Sequence, residues 1–245
     1  MFENRHIYRR RVDRPGLLPF SVTCCQTNLQ ILAEHNLQKQ ATEQLLCHRG
    51  YIESYISQYP EFATTLAPFP SKGPAPKIIR DMIAASRDAG VGPMASVAGA
   101  LAEYVGRELL AFSSEIIIEN GGDIFIRTKR PVTIGIYAGT SPLSMKIGLV
   151  MDRKNRPFSV CTSSGTVGHS LSFGSSDAVC IVSDSALLAD AAATSIGNRV
   201  SMEKDIDSAI AFGKSIRGVQ GIVIIVGSKV GLWGDVELVS LSKKA

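Results

Sequence analysis

Between Glu115 and Ser183 the chain is a succession of short runs rich in isoleucine, valine and phenylalanine: EIIIE, DIFIRT, VTIGIYA, MKIGLVM, FSVCTS and DAVCIVS. Each is too short for an ordinary helix and is bounded by turn-forming residues, so each reads as a strand, antiparallel in character. An alanine-rich stretch, Ser185 to Ile196, interrupts this series as a helix, and Met202 to Lys214 reads as another. GIVIIVGSKVGLWGDVEL closes the chain as a hairpin. Strands mixed with segregated helices place the chain in the α+β class.

The first part of the chain is different. His6 to Glu34 reads as strands broken at Pro15-Gly16, with partial alternation in LPFSVTCCQTNLQIL. His35 to Tyr59 reads as a helix with Leu37, Leu45, Ile52 and Tyr55 near one face, stopped by Pro60. PFPSKGPAP, Pro68 to Pro76, is the clearest linker-like punctuation. A helix runs from Pro76 through Arg87 to Gly90, and Gly92-Pro93 opens a small-residue helix through about Leu110.

With 245 residues, 45% hydrophobic, the chain can bury a full-sized core. Its net charge of +4 is modest. The run Arg5, Arg9, Arg10, Arg11 and Arg14 reads as a solvated strand edge before it reads as an anion patch. No basic stripe interleaved with aromatics suggests nucleic-acid binding. The five cysteines have no C-x-x-C spacing, and adjacent Cys24 and Cys25 on a strand would face opposite sides, so they are expected to be poor joint ligands. A reduced, cytoplasmic compartment is the expectation. No apolar run approaches the roughly 18 residues of a membrane span, and no signal-peptide core is visible.

Four stretches carry candidate chemistry. In IIIENGGDIFIR, Asn120-Gly121 supplies a tight hairpin turn. The second glycine, Gly122, and Asp123 go beyond what a turn needs: they offer bare backbone amides and an acceptor to a ligand. In SDSALLADAAATSIGN, Ser183 or Asp184 can cap a helix that Gly197 ends. Asp190 and Thr194 share one helical face there, as hard oxygen donors of the kind Mg²⁺ accepts. The plain alternative is an exposed Asp beside a Thr bonded back to carbonyl 190. In GPMASVAGALAEYVGREL, Ala95, Ala98, Gly99, Ala102 and Gly106 form a small-residue stripe, which suits close packing. The start of that helix also suits a phosphate. In VCTSSGTVGHSLSFGSSD, hydroxyls and glycines surround His169, as a solvated loop or as a nucleotide wall. It has no G-x-S-x-G elbow, and Cys161 with His169 remains an alternative nucleophile and base.

The order of these stretches is more specific than any one of them. It resembles the FAD:protein FMN transferases, the ApbE-like family, through Asn120-Gly121-Gly122-Asp123, Thr162-Ser163-Ser164-Gly165 and Ala189-Asp190-Ala191-Ala192-Ala193-Thr194. More closely, the chain looks like a member of a group of small, soluble, ApbE-related proteins. The resemblance covers roughly Gly92 to Gly197 and leaves the first ninety or so residues unexplained. It implies a T-fold-related α+β fold, a mixed or antiparallel sheet with packed helices, in one domain spanning 1–245 with an N-terminal extension at about 1–90. It implies Asp190 and Thr194 as magnesium ligands. Asn120, Gly121, Gly122, Asp123, Thr162, Ser163, Ser164, Gly165 and His169 would line a pocket for FAD. It assigns no catalytic residue.

Two departures matter. Ala102-Glu103-Tyr104 stands where the family carries Ala-Lys-Gly, and the short GHSLSFGSSD replaces a longer insert, with His169 as its remnant. The lipobox of exported transferases is absent. Three readings follow: a magnesium-dependent flavin-nucleotide transferase acting on a protein substrate or cleaving the diphosphate, a nucleotide binder without turnover, and a scaffold whose pocket is filled by Met94, Phe173 or Tyr104. A homo-oligomer is expected, because T-fold relatives often build pockets between subunits.

Overall fold

The computed structural model describes residues 15–165 and 174–241. The arginine run, His169 and Phe173 lie outside the described residues.

Strands β1 (Leu18–Cys24) and β2 (Thr27–Ala33) form an N-terminal hairpin. Helix α1 (Gln38–Gln58), the single turn α2 (Glu61–Thr64) and helix α3 (Lys77–Ala89) follow, then a 3-10 turn at Pro93–Ser96 and helix α4 (Val97–Leu109). Next come β3 (Ile116–Asn120), β4 (Asp123–Arg127), β5 (Val132–Gly135), β6 (Ile147–Met151), β7 (Phe158–Ser163) and β8 (Ala178–Ser183). The chain ends with α5 (Ala186–Gly197), α6 (Ile206–Ser215), β9 (Val219–Val226), β10 (Lys229–Gly234) and β11 (Glu237–Ser240).

Among the described residues these strands make an eight-stranded antiparallel sheet, ordered β1-β2-β3-β4-β7-β8-β9-β10. A three-stranded sheet, β11-β6-β5, covers one of its faces, and the helices cover the other. The isoleucine triplet shows why both faces are apolar. Ile116 and Ile118 point into the helical core with Leu45, Met82 and Val105, while Ile117 points into the small-sheet core with Leu149 and Phe158. Period-two alternation in a sheet covered on both sides leaves no exposed position on the inner strands β2, β3, β4, β7, β8 and β9. A third cluster seats α5 and α6 on β7, β8 and β9 through Ala189, Ala192, Ile181, Ile222 and Ile224.

The class and the helix positions agree with the sequence reading. Two local expectations do not survive. LPFSVTCCQTNLQIL is two strands of a hairpin, because Cys25 adopts φ 51° and turns the chain. VTIGIYA and MKIGLVM form a second sheet, and β11 leaves the closing hairpin to join them. PFPSKGPAP is, as read, an irregular connection, here between α2 and α3, and it is anchored by Phe69, buried edge-on against Phe62 at 5.4 Å between ring centroids. The first ninety residues add β1 and β2 beside β3, in the same sheet as the candidate site.

Candidate functional site

The turn between β3 and β4 is the two-residue loop Gly121-Gly122, closed by the pair Asn120 and Asp123. Both glycines have positive φ, 68° and 110°, as a turn matching the twist of its strands requires. Space does not demand glycine here. A Cβ on Gly121 would meet nothing within 4 Å, and one on Gly122 would come no closer than 3.5 Å to the Thr162 carbonyl. The Gly122 amide donates to Glu119 Oε1 at 2.7 Å, so the chain's own carboxylate takes the amide that sequence reasoning offered to a ligand.

Strand alternation aims Asn120 and Asp123 at the helical face. Asn120 Nδ2 donates to the Ala98 carbonyl at 3.0 Å. Asp123 is buried, and its Oδ1 has no hydrogen-bond partner among the described residues. Burial, followed by the charges of Asp190 and Glu119, drives the Asp123 pKa well above the ordinary carboxylate range; the Cys161 thiol and the Thr162 amide pull against that rise. Cys161 is buried beside it, donates to the Ala186 carbonyl at 3.4 Å, and is pushed up by burial and then by both aspartates. That leaves Cys161 a protonated packing residue, unsuited to the nucleophile role.

Asp190 comes from α5. Ser185, and not Ser183 or Asp184, caps that helix, accepting from the Leu188 amide at 3.4 Å. The Ser183 hydroxyl donates to the Gly218 carbonyl at 2.9 Å and accepts from the Ser185 amide at 3.2 Å, one step before the helix. Ala189, Ala191, Ala192 and Ala193 are wholly buried, which lets α5 press on the sheet and on α4. Close approach explains the glycine stripe of α4: a Cβ on Gly99 would lie 2.3 Å from the Ala186 carbonyl oxygen, and one on Gly106 would lie 2.3 Å from Phe125 Cδ1. The stripe is packing.

That packing brings Asp190 Oδ2 to 2.9 Å from the Gly99 amide. The start of α4, expected under a phosphate, therefore holds a carboxylate from the neighbouring helix, which suits the positive helix end equally well. Burial raises Asp190 to about 7, and the amides of Gly99 and Ala98 hold it down against that rise. Thr194, one turn further along α5, is also buried.

The remaining wall comes from the end of β7. Thr162 turns its hydroxyl away from the aspartates, to Cys180 Sγ at 3.2 Å, and offers only its backbone to this side. Ser163 Oγ is buried without a hydrogen-bond partner among the described residues. Ser164 follows it, and the Gly165 amide donates to the Ser176 carbonyl at 3.0 Å. A Cβ on Gly165 would sit 1.9 Å from the Gly174 oxygen, so this glycine is required where two strand ends close together.

The structure thus brings Asn120, Asp123 and Asp190 together against Ala98 and Gly99. Sequence reasoning missed Glu119 and the use of Glu103. The one signal for Glu119 was a charged residue ending an all-isoleucine run. Glu103 Oε2 accepts from the Ala186 amide at 2.6 Å, and Arg107 pairs with Oε1 at 2.7 Å. Glu103 therefore holds the first turn of α5 and does not project as a lone anion into the site. Tyr104 donates to Asp81 Oδ2 at 2.7 Å, away from Asp190, so it does not fill the cleft. Met94 packs against the helical core.

Among the described residues, no three His, Cys, Asp or Glu side chains are arranged to hold a metal. A magnesium ion needs fewer protein ligands, because waters and phosphate oxygens complete its shell. The buried Asp123 Oδ1, unpartnered among the described residues, and the amide-bound Asp190 are hard oxygen donors of the kind such a cation accepts, and no cationic side chain among the described residues neutralises them.

This architecture is that of the ApbE-type flavin transferases. It is similar to the flavinyl transferase ApbE of Pseudomonas stutzeri, apo form, with TM-score 0.57 and 13% identity over 89% of this chain and 93% of that one. It is also similar to the ApbE protein of Thermotoga maritima, with TM-score 0.53 and 14% identity over 88% of this chain and 96% of that one. At such identities the likeness is one of fold. In sequence, the chain belongs to the ApbE-related family described as AbpE bacteria, matched over residues 9–238. Its relatives include the UPF0280 protein of Methanococcus aeolicus, 39% identical over 224 residues, covering 88% of this chain and 89% of the relative. The UPF0280 protein of Methanocaldococcus jannaschii is 43% identical over 212 residues, covering 84% and 86%.

Proposed function

We propose that this protein binds a flavin nucleotide, FAD, together with Mg²⁺, and transfers FMN or cleaves the diphosphate. In this reading the Asn120–Asp123 turn and the Thr162–Gly165 strand end form two lips of the pocket, and His169, outside the described residues, is a further ligand contact. Asp190 and Thr194 hold the metal. The observation that carries this reading is the Asp123–Asp190 pair: the charge of part-buried Asp190 bears on buried Asp123, one Asp123 oxygen is unpartnered, and among the described residues no cationic side chain neutralises either carboxyl. When bound, magnesium supplies charge neutralisation at the diphosphate. Asp190 orients toward that place because α4 pins one of its oxygens. Asn120 fixes the turn against α4, so the lips keep a constant separation.

A second reading is binding without turnover. It is favoured by Glu103, which occupies the position of the family's lysine and is engaged with α5 and Arg107, leaving no cation there for the leaving group. In either reading we take residues 1–245 as one ApbE-like domain, the ligand as a small-molecule nucleotide, and the working unit as a cytoplasmic homo-oligomer. A protein substrate belongs to the transferase reading alone. Among the described residues no helix is long and apolar enough to cross a membrane.

The test is calorimetric titration of the purified chain with FAD, with and without Mg²⁺, alongside Asp190→Ala, with AMP release followed in the same tubes. Metal-dependent binding lost in the variant supports the pocket, and AMP release separates transferase from binder. Absence of FAD binding at high micromolar concentration in both conditions refutes the flavin reading.

A further inference from the structure

The tip of the β1–β2 hairpin carries two thiols side by side. Consecutive residues of a regular strand point to opposite faces. Cys25 escapes that rule because its φ of 51° places it in the turn Cys25-Gln26, beyond the last strand pair Cys24 and Thr27. Its sulfur lies 4.0 Å from that of Cys24. Cys25 is exposed, Cys24 is partly so, and both are free thiols.

The turn is held from outside. Arg49 of α1 donates to Thr27 Oγ1 at 2.7 Å and to Gln26 Oε1 at 3.3 Å, and is steadied by Glu53 at 2.6 Å. Across the strands, Asn28 Nδ2 donates to Thr23 Oγ1 at 2.7 Å. The two sulfurs are therefore brought together before any ligand arrives, which lowers the entropic cost of binding both at once.

We propose that Cys24 and Cys25 form a chelating site for a soft, thiophilic centre of the trivalent-arsenic type. Soft sulfur donors select soft acceptors. Zinc would want four ligands, and no third His, Cys, Asp or Glu side chain among the described residues joins this pair. An arsenical of the form R–As=O needs only two. Two S–H bonds break, two As–S bonds form, and the oxygen leaves as water with both protons. Arsenic stays trivalent, so no oxidant or reductant enters. Desolvation and the adjacent Cys25 thiol push the Cys24 thiol upward. The other cysteines cannot imitate it. Cys47 is a single exposed thiol on α1, while Cys161 and Cys180 are buried on opposite faces of the sheet.

The test uses the reduced full-length chain and phenylarsine oxide, with intact mass and a count of accessible thiols as readouts. The expected result is one arsenical per chain and loss of two accessible thiols, reversed by a dithiol and not by the same concentration of a monothiol. Cys24→Ser and Cys25→Ser should each weaken capture by about 100-fold or more, the lower end of the gain from linking two binding groups. Cys47→Ser should leave it unchanged. Capture by Cys25→Ser within tenfold of the parent, reversal by a monothiol, or loss of capture in Cys47→Ser would each overturn the proposal.

Discussion

Replacing Asp190 by asparagine removes a charge and keeps the shape, so it isolates the electrostatic state of the site. Asparagine Oδ1 can still accept from the Gly99 amide that now holds Asp190 Oδ2 at 2.9 Å. A carboxyl whose pKa is higher in the folded state holds its proton more tightly when folded. Its contribution to stability is therefore best below its unfolded value and declines as pH climbs through the folded value. For Asp190 that window runs from 3.8 to about 7. The whole shift, about three pKa units at 1.36 kcal/mol each, sets an upper bound of about 4 kcal/mol on the penalty carried at pH 8. Partial solvent access to Asp190 and its coupling to Asp123 reduce this to roughly 1–3 kcal/mol.

Asp190→Asn should thus be more stable than the parent at pH 8 in a chelator, by roughly 1–3 kcal/mol, with the gap shrinking toward zero near pH 4. Urea unfolding at pH 4.5, 6 and 8 measures it. Millimolar Mg²⁺ at pH 8 should stabilise the parent and leave the variant unmoved, because only the parent offers an ionised ligand there. Equal destabilisation of the variant at every pH would refute the reasoning. It would mean that Asp190 serves α4 as an ionised cap whose two amide bonds outweigh desolvation.

Two other substitutions probe the frame that places Asp190. Glu103→Ala leaves the Ala186 amide without its 2.6 Å partner and should cost about 1–3 kcal/mol, with faster hydrogen exchange at Ala186 and a smaller loss for Glu103→Gln. Gly106→Ala puts a methyl 2.3 Å from the Phe125 ring and should cost about 1–3 kcal/mol in thermal or urea unfolding. Gly121→Ala meets no atom but must hold φ 68°, and should cost about 1–2 kcal/mol from backbone strain alone.

What was legible in the sequence was local. The strand series, the helix over 186–197 and its small residues follow from period and turn chemistry within a few residues of one another; the β3–β4 turn was legible too, although its loop is Gly121-Gly122 and not Asn120-Gly121, so Gly122 belongs to the turn. The errors came where one residue's backbone, or a distant partner, decided the outcome. A single positive φ at Cys25 turned one strand into two and brought together thiols that alternation would have separated. The assignment of β5, β6 and β11 to a second sheet depends on pairings such as Ile134 with Leu149 and Leu238 with Leu149, which no local pattern announces.

The candidate site was legible in its parts and not in its wiring, and glycine and alanine account for the difference. In sequence they mark places where something comes close, without saying what. Around Asp190 they admit the protein itself: Gly99 admits the Ala186 carbonyl, Gly106 the Phe125 ring, and Gly165 the Gly174 backbone. The Gly99 contact sets α4 against α5 and the Gly106 contact sets α4 against β4, so Asp190 reaches the Gly99 amide and Asn120 the Ala98 carbonyl, although Asp190 and Gly99 are 91 residues apart in the chain. The phosphate expected at the start of α4 would compete with a carboxylate already there. If Asp190 held a cation, as proposed, the cation would supply the positive charge that the carboxylate alone denies to an anionic ligand. Under the proposed function, the arrangement that raises both aspartate pKa values would thus make binding of a diphosphate depend on the metal, so FAD should bind more tightly with Mg²⁺ than in a chelator.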